Sequence, residues 1–107
     1  MDAQKFTHIS CSTSINEVVY SASLILNDIK NSIGLMQYWG NLIGCNVSKF
    51  SDPNAKCLMD EGIREMVLCG ARYTEYCQQY KILKKRIAFL RSLTPEKLVN
   101  NAENNAA

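Results

Sequence analysis

Apolar residues recur at spacings of three and four along most of this chain and divide it into two long amphipathic segments. The first begins at Ser14-Ile15-Asn16-Glu17, where Ser14 at the N-cap and Glu17 at N3 form a capping box. Its apolar stripe has the 3.6-residue period of an α-helix. The stripe consists of Ile15, Val18, Val19, Ala22, Ile25, Leu26, Ile29, Ile33 and Met36. We predict a helix from about residue 14 to residue 46.

Glycines leave the continuity of this first segment open. Gly34, Gly40 and Gly44 each cost about 1 kcal/mol relative to alanine inside a helix. Apolar residues nevertheless continue between them, at Leu35, Met36, Trp39, Leu42 and Ile43. We favour one continuous or kinked helix, and the alternative is a break near Gly34 that gives two shorter helices.

The second segment begins at Asp52-Pro53, with Asp52 as N-cap and Pro53 at the first helical position. No further proline occurs until Pro95. The spacing along this segment alternates between three and four residues, as in a heptad seam, through Ile63, Met66, Gly70, Tyr73, Cys77 and Tyr80. The stripe consists of Ile63, Met66, Val67, Gly70, Tyr73, Cys77, Tyr80, Leu83, Ile87 and Leu90. We predict a helix from about residue 53 to residue 92.

The two ends of the chain carry weaker patterns. Residues 1–13 show no apolar period and are predicted to form a flexible N-terminal arm. Thr94-Pro95, with Leu93 and Leu98 as a hydrophobic staple, predicts a short C-terminal helix. The asparagine-rich residues 100–107 are predicted to be a disordered tail. A single helical domain is therefore expected over residues 14–99.

The predicted helix lengths suggest how these helices pack. At 1.5 Å per residue the second helix spans about 60 Å, which is longer than a compact domain of this size. We expect an all-α fold in which the two helices form an antiparallel hairpin. Because the apolar stripes are wider than a single seam, two hairpins would associate into a four-helix bundle. A break at Gly34 would instead allow a self-contained monomer of three or four helices.

This architecture favours a non-enzymatic protein interaction or self-association module of the adaptor or scaffold type. The expected partner is a second copy, giving a homo-oligomer, or another helical protein, and no small-molecule substrate is expected. The predicted partner interface consists of Trp39, Ile63, Met66, Tyr73, Cys77 and Tyr80.

The distribution of charge supports an alternative function. The formal net charge is +2, but residues 1–71 carry −2 and residues 72–107 carry +4. A basic amphipathic helix binds nucleic acid or an anionic membrane surface, and nearby tyrosines add stacking platforms. The residues predicted to bind such a partner are Lys81, Lys84, Lys85, Arg86 and Arg91. The competing interpretation is a solvated face that is stabilised by the helix dipole.

Residues typical of catalysis or metal binding are sparse. His8 is the single histidine, and the acidic cluster of Asp60, Glu61 and Glu65 lacks the Glu-x-x-His pairs of a di-iron bundle. The five cysteines form no CxxC pair, so we interpret them as free thiols that pack as small hydrophobes. We predict no metal, no cofactor and no enzymatic activity.

The sequence also predicts where the protein resides. The N-terminal residues contain no basic region followed by an apolar core, so we expect no secretory leader. No apolar run approaches the roughly 20 residues of a transmembrane helix. We expect a cytoplasmic protein, with a nuclear location also open.

Overall fold

The computed structural model describes residues 1–93, of which 89% are helical, and it contains no strand within that range. Helix α1 covers Ala3–Ser10, α2 covers Ile15–Asn46 and α3 covers Pro53–Ser92, with a 3-10 turn at Val47–Lys49. The two long helices pack together. The all-α fold class is thus confirmed. The predicted C-terminal helix from Thr94 and the predicted tail lie outside the described residues.

Helix α2 is one continuous helix, so the chain does not break near Gly34. At its start, Ser14 Oγ accepts a hydrogen bond of 3.3 Å from the Glu17 N–H. The Glu17 carboxylate accepts a bond of 2.8 Å from the Ser12 hydroxyl, whose oxygen accepts the Ser14 N–H at 3.1 Å. The predicted N-cap is therefore confirmed, but the reciprocal half of the capping box closes through Ser12.

The start of α3 follows the sequence prediction. Asp52 Oδ1 accepts the Asn54 N–H at 3.0 Å, and the Asp52 carbonyl accepts the Lys56 N–H at 3.0 Å. Pro53 is the first helical residue, where its missing N–H leaves no bond unmade.

The residues through which α2 and α3 pack follow one heptad pattern, and we call this set of residues the seam. Its steps alternate between three and four, and every seam residue is buried or half-buried. On α2 the seam consists of Ile15, Val18, Ala22, Ile25, Ile29, Ser32, Met36, Trp39, Ile43 and Asn46. On α3 it consists of Ala55, Met59, Gly62, Met66, Cys69, Tyr73, Tyr76, Tyr80, Leu83, Ile87 and Leu90.

The chain forms two compact units, and each contains part of α2 and part of α3. Among the described residues, the first unit comprises Met1–Leu24 and residues 79–93, and its core includes Val18 and Leu83. The second unit comprises Ile25–Gln78.

Helix α1, in the first unit, lies where we expected a flexible arm. Asp2 caps it by accepting the Lys5 N–H at 2.8 Å, and Ile9 is buried. An isolated helix of eight residues is unstable in water. Tertiary contacts therefore hold α1 in place, and the local pattern of apolar residues carries no sign of them.

The seam of α3 lies one residue earlier than predicted at three positions of the second unit, which Gly62, Cys69 and Tyr76 occupy. We expected Ile63 on the seam, but Gly62 occupies it and Ile63 is 52% exposed. A Cβ at Gly62 would lie 2.9 Å from Ile43 Cγ1 and 3.5 Å from the Trp39 carbonyl oxygen. The helices approach so closely here that a residue with a Cβ would clash at position 62. The next residue, the bulky Ile63, faces solvent.

We predict opposite effects on stability from two glycine-to-alanine changes. Gly62→Ala should lower the free energy of unfolding by about 1–3 kcal/mol, because the new methyl group overpacks against Ile43. Gly34→Ala should raise it by up to about 1 kcal/mol, because open space surrounds Gly34 and alanine favours the helix. Urea unfolding followed by circular dichroism measures both changes. Equal stabilities of the two variants would contradict the close approach at Gly62.

Candidate interaction surfaces

Most of the predicted partner interface lies on the seam. Trp39, Met66, Tyr73 and Tyr80 are all half-buried seam residues. In the second unit, the Met66 Cε and Sδ atoms lie 3.8 and 4.0 Å from the position a Cβ would take at Gly40. These side chains thus contribute to packing between the chain's own helices.

Ile63 lies on a different surface of the second unit, together with two residues that the predicted interface omitted. Ile63, Val67 and Leu68 are each at least half exposed, Val67 being the most exposed at 67%. With Arg64 they line a shallow, open groove of about 360 Å³ on α3. Leu68 gave no signal in the sequence because it lies off the predicted stripe.

Trp39 and Tyr38 form an aromatic pair in the second unit. Their ring centroids are 5.0 Å apart with an interplanar angle of 76°, an edge-to-face arrangement. Trp39 is half-buried whereas Tyr38 is 57% exposed. Tyr38 therefore presents its ring to solvent while Trp39 contributes to the seam.

Cys77 lies one turn after Tyr73 and affects its ionisation. A hydrogen bond with the Cys77 side chain raises the pKa of Tyr73, and charge repulsion from Cys77 and burial raise it further. The phenol therefore stays protonated and neutral at physiological pH.

The five cysteines are all free thiols, but they differ in exposure. Cys69 is buried and Cys77 is half-buried, whereas Cys11, Cys45 and Cys57 are exposed. The interpretation of the cysteines as small buried hydrophobes thus holds for Cys69 and is wrong for the three exposed thiols.

The predicted basic site lies on α3 in the first unit. Lys81, Lys84, Lys85 and Arg91 are exposed. Within residues 1–93 the one ion pair closer than 4.0 Å joins His8 and Glu17, whose Nε2 and Oε1 atoms are 3.8 Å apart. The four exposed cations therefore have no carboxylate partner in the described part of the chain.

Arg86 differs from these four residues because the chain's own backbone binds it. Its Nε donates to the Ser12 carbonyl at 2.9 Å, and an Nη donates to the Cys11 carbonyl at 3.2 Å. Its guanidinium carbon lies 5.2 Å from the centroid of the Phe89 ring, within the range of a cation–π contact. Arg86 thus fastens the turn after α1 to α3, a role that local sequence patterns do not reveal.

The acidic cluster on α3 does not form a metal site among the described residues. Asp60 and Glu61 are exposed and Glu65 is half-buried. Between residues 1 and 93, no three histidine, cysteine or acidic side chains are arranged to hold a metal ion. In the same range, no helix combines the length and apolar character needed to span a membrane.

Comparison with known protein families, with curated proteins and with solved structures finds no match to this chain.

We predict that Arg86→Lys loosens α1. Lysine keeps the positive charge but loses the two directed bonds to the Cys11 and Ser12 carbonyls. Amide hydrogen exchange in residues 3–10 should become about tenfold faster, as expected for the loss of about 1.4 kcal/mol of charge-assisted hydrogen bonding. Exchange in the second unit should not change.

Lys85→Gln is the matched control, because Lys85 is an exposed neighbour without such bonds. It should leave the exchange of α1 unchanged. Equal protection of α1 in the wild type and in Arg86→Lys would show that the carbonyl contacts do not hold this helix.

Proposed function

We propose that this chain is a non-enzymatic helical interaction module of the adaptor or scaffold type, and that its partner is a second copy. The observation that carries the proposal is a set of apolar side chains of the second unit that lie outside the seam and remain 37–67% exposed. We call this set the association face, and it consists of Leu26, Ile33, Ile63 and Val67.

The positions of these four residues in the heptad pattern support treating them as one surface. Leu26, Ile33 and Ile63 each directly follow a seam residue, and Val67 lies one turn after Ile63. In an antiparallel hairpin, the positions that follow the seam on both helices lie on the same side of the pair. The short connection at residues 47–52 favours this antiparallel arrangement.

Charge distinguishes the association face from the opposite side. In the second unit, three of the positions that directly follow a seam residue carry a charged side chain, namely Lys30, Lys56 and Asp60. Five of the positions that directly precede a seam residue are charged, namely Asp28, Glu61, Glu65, Arg72 and Glu75. Because charged side chains resist burial, the first side is the better surface for a partner helix.

A second copy is the partner that fits this face most simply. Two-fold association pairs each face with an identical one and closes a four-helix bundle. Open space surrounds Gly70 where a Cβ would stand, so a neighbouring helix can approach closely. Covering each half-exposed side chain contributes about 1 kcal/mol, or about 8 kcal/mol for two faces. The cost of association is of similar size, so we expect a weak, concentration-dependent dimer.

We predict that Val67→Glu abolishes this dimer. A charge would be buried twice in a symmetric interface, and a loss of about 1.4 kcal/mol at each site weakens dimerisation about 100-fold. Analytical ultracentrifugation across a concentration series up to the high micromolar range measures the effect. Circular dichroism should show unchanged helicity, because glutamate favours a helix more than valine does.

Leu35→Glu provides the matched control, since Leu35 is 47% exposed and directly precedes the seam residue Met36. This variant should dimerise like the wild type. A wild type that stays monomeric at every concentration would refute self-association. A monomeric Leu35→Glu beside a dimeric Val67→Glu would assign the interface to the opposite side.

A further inference from the structure

The exposed cations near the end of α3 form a continuous stripe in the first unit. Their spacing in the sequence puts these cations on neighbouring turns of one face of α3, with the small Ala88 among them. The stripe consists of Lys81, Lys84, Lys85 and Arg91. They have no carboxylate partner within residues 1–93. The described part of the first unit carries a formal charge of +4, against −1 for the second unit. A positive surface of this kind attracts an anionic partner.

Two exposed apolar side chains lie beside this stripe. Ile82 is 47% exposed and Phe89 is 52% exposed. They lie seven residues apart, so they occupy nearly the same face, and Ile82 neighbours Lys81 while Phe89 lies one turn after Lys85. The surface thus combines projecting apolar groups with positive charge that has no carboxylate partner among residues 1–93.

This combination favours a membrane over a nucleic acid. Sequence-tolerant binding of single strands relies on exposed aromatic rings for base stacking, but Tyr73, Tyr76 and Tyr80 are half-buried seam residues. The Phe89 ring already carries the Arg86 guanidinium at 5.2 Å. An aliphatic side chain such as Ile82 gains little binding energy from contact with a phosphate backbone. It is stabilised where it enters the boundary between the headgroups and acyl chains of a bilayer.

We infer that this face of α3 is a peripheral binding site for an anionic lipid membrane. Lys81, Lys84, Lys85 and Arg91 contact lipid phosphates and carboxylates, while Ile82 and Phe89 enter the boundary between headgroups and acyl chains. Arg86 takes no direct part, because the Cys11 and Ser12 carbonyls already hold it. The site lies entirely within the first unit and does not depend on the association face.

Vesicle sedimentation with the full chain tests this inference. Wild-type protein should bind vesicles that contain phosphatidylserine and should not bind vesicles of phosphatidylcholine alone, and added salt should weaken the binding. The double variant Lys84→Gln/Lys85→Gln should bind about 25-fold more weakly, at about fivefold per lysine. Lys49→Gln/Lys56→Gln removes the same charge from exposed positions of the second unit and should bind like the wild type.

Replacing an apolar residue tests the membrane part separately. Ile82→Ser should weaken vesicle binding about fivefold, while Leu58→Ser, at an exposed position in the second unit, should have no effect. Absence of binding to phosphatidylserine vesicles at low salt would overturn the inference. So would vesicle binding that is insensitive to Ile82→Ser. Lysine-dependent binding of a single-stranded or duplex oligonucleotide without vesicle binding would assign the stripe to nucleic acid instead.

Discussion

The close approach of α2 and α3 at Gly62 determines which side of α3 faces its neighbour. With no Cβ at this position, the Ile43 side chain and the Trp39 carbonyl can lie directly against the helix. The seam then runs through Gly62 and turns Ile63 outward. The same contact that packs the second unit therefore creates the exposed apolar surface beside it.

The two units present different surfaces to solvent. The second unit combines a near-neutral charge with apolar side chains outside its seam. The first unit carries the positive charge, and its α1 is fastened by Arg86 through backbone carbonyls. Arg86 shows that a charged residue inside a basic segment can serve packing, while its neighbours Lys84 and Lys85 remain exposed to solvent. Composition alone does not separate these two roles.

The sequence predicted the features that local rules determine. The period of apolar residues predicted α2 and α3, and the caps at Ser14 and Asp52 predicted where they begin. Features that depend on tertiary contact were missed. Helix α1 is too short to show a period. The register near Gly62 depends on steric fit, whereas the pattern of apolar residues predicts Ile63 on the seam because it is the more hydrophobic residue. Which exposed residues bind a partner likewise depends on register, so the predicted interface mixed seam residues with surface residues.

The way Arg86 holds the turn after α1 has a consequence for sequence divergence. Both bonds end on main-chain oxygens, so the side chain of Cys11 is irrelevant to them, and many residue types can replace it while α1 keeps its place. The donor side of the contact has no such freedom, because a planar group with several N–H donors is required. Among distant homologues, we expect the arginine to be retained, while the residue type at the position of Cys11 varies.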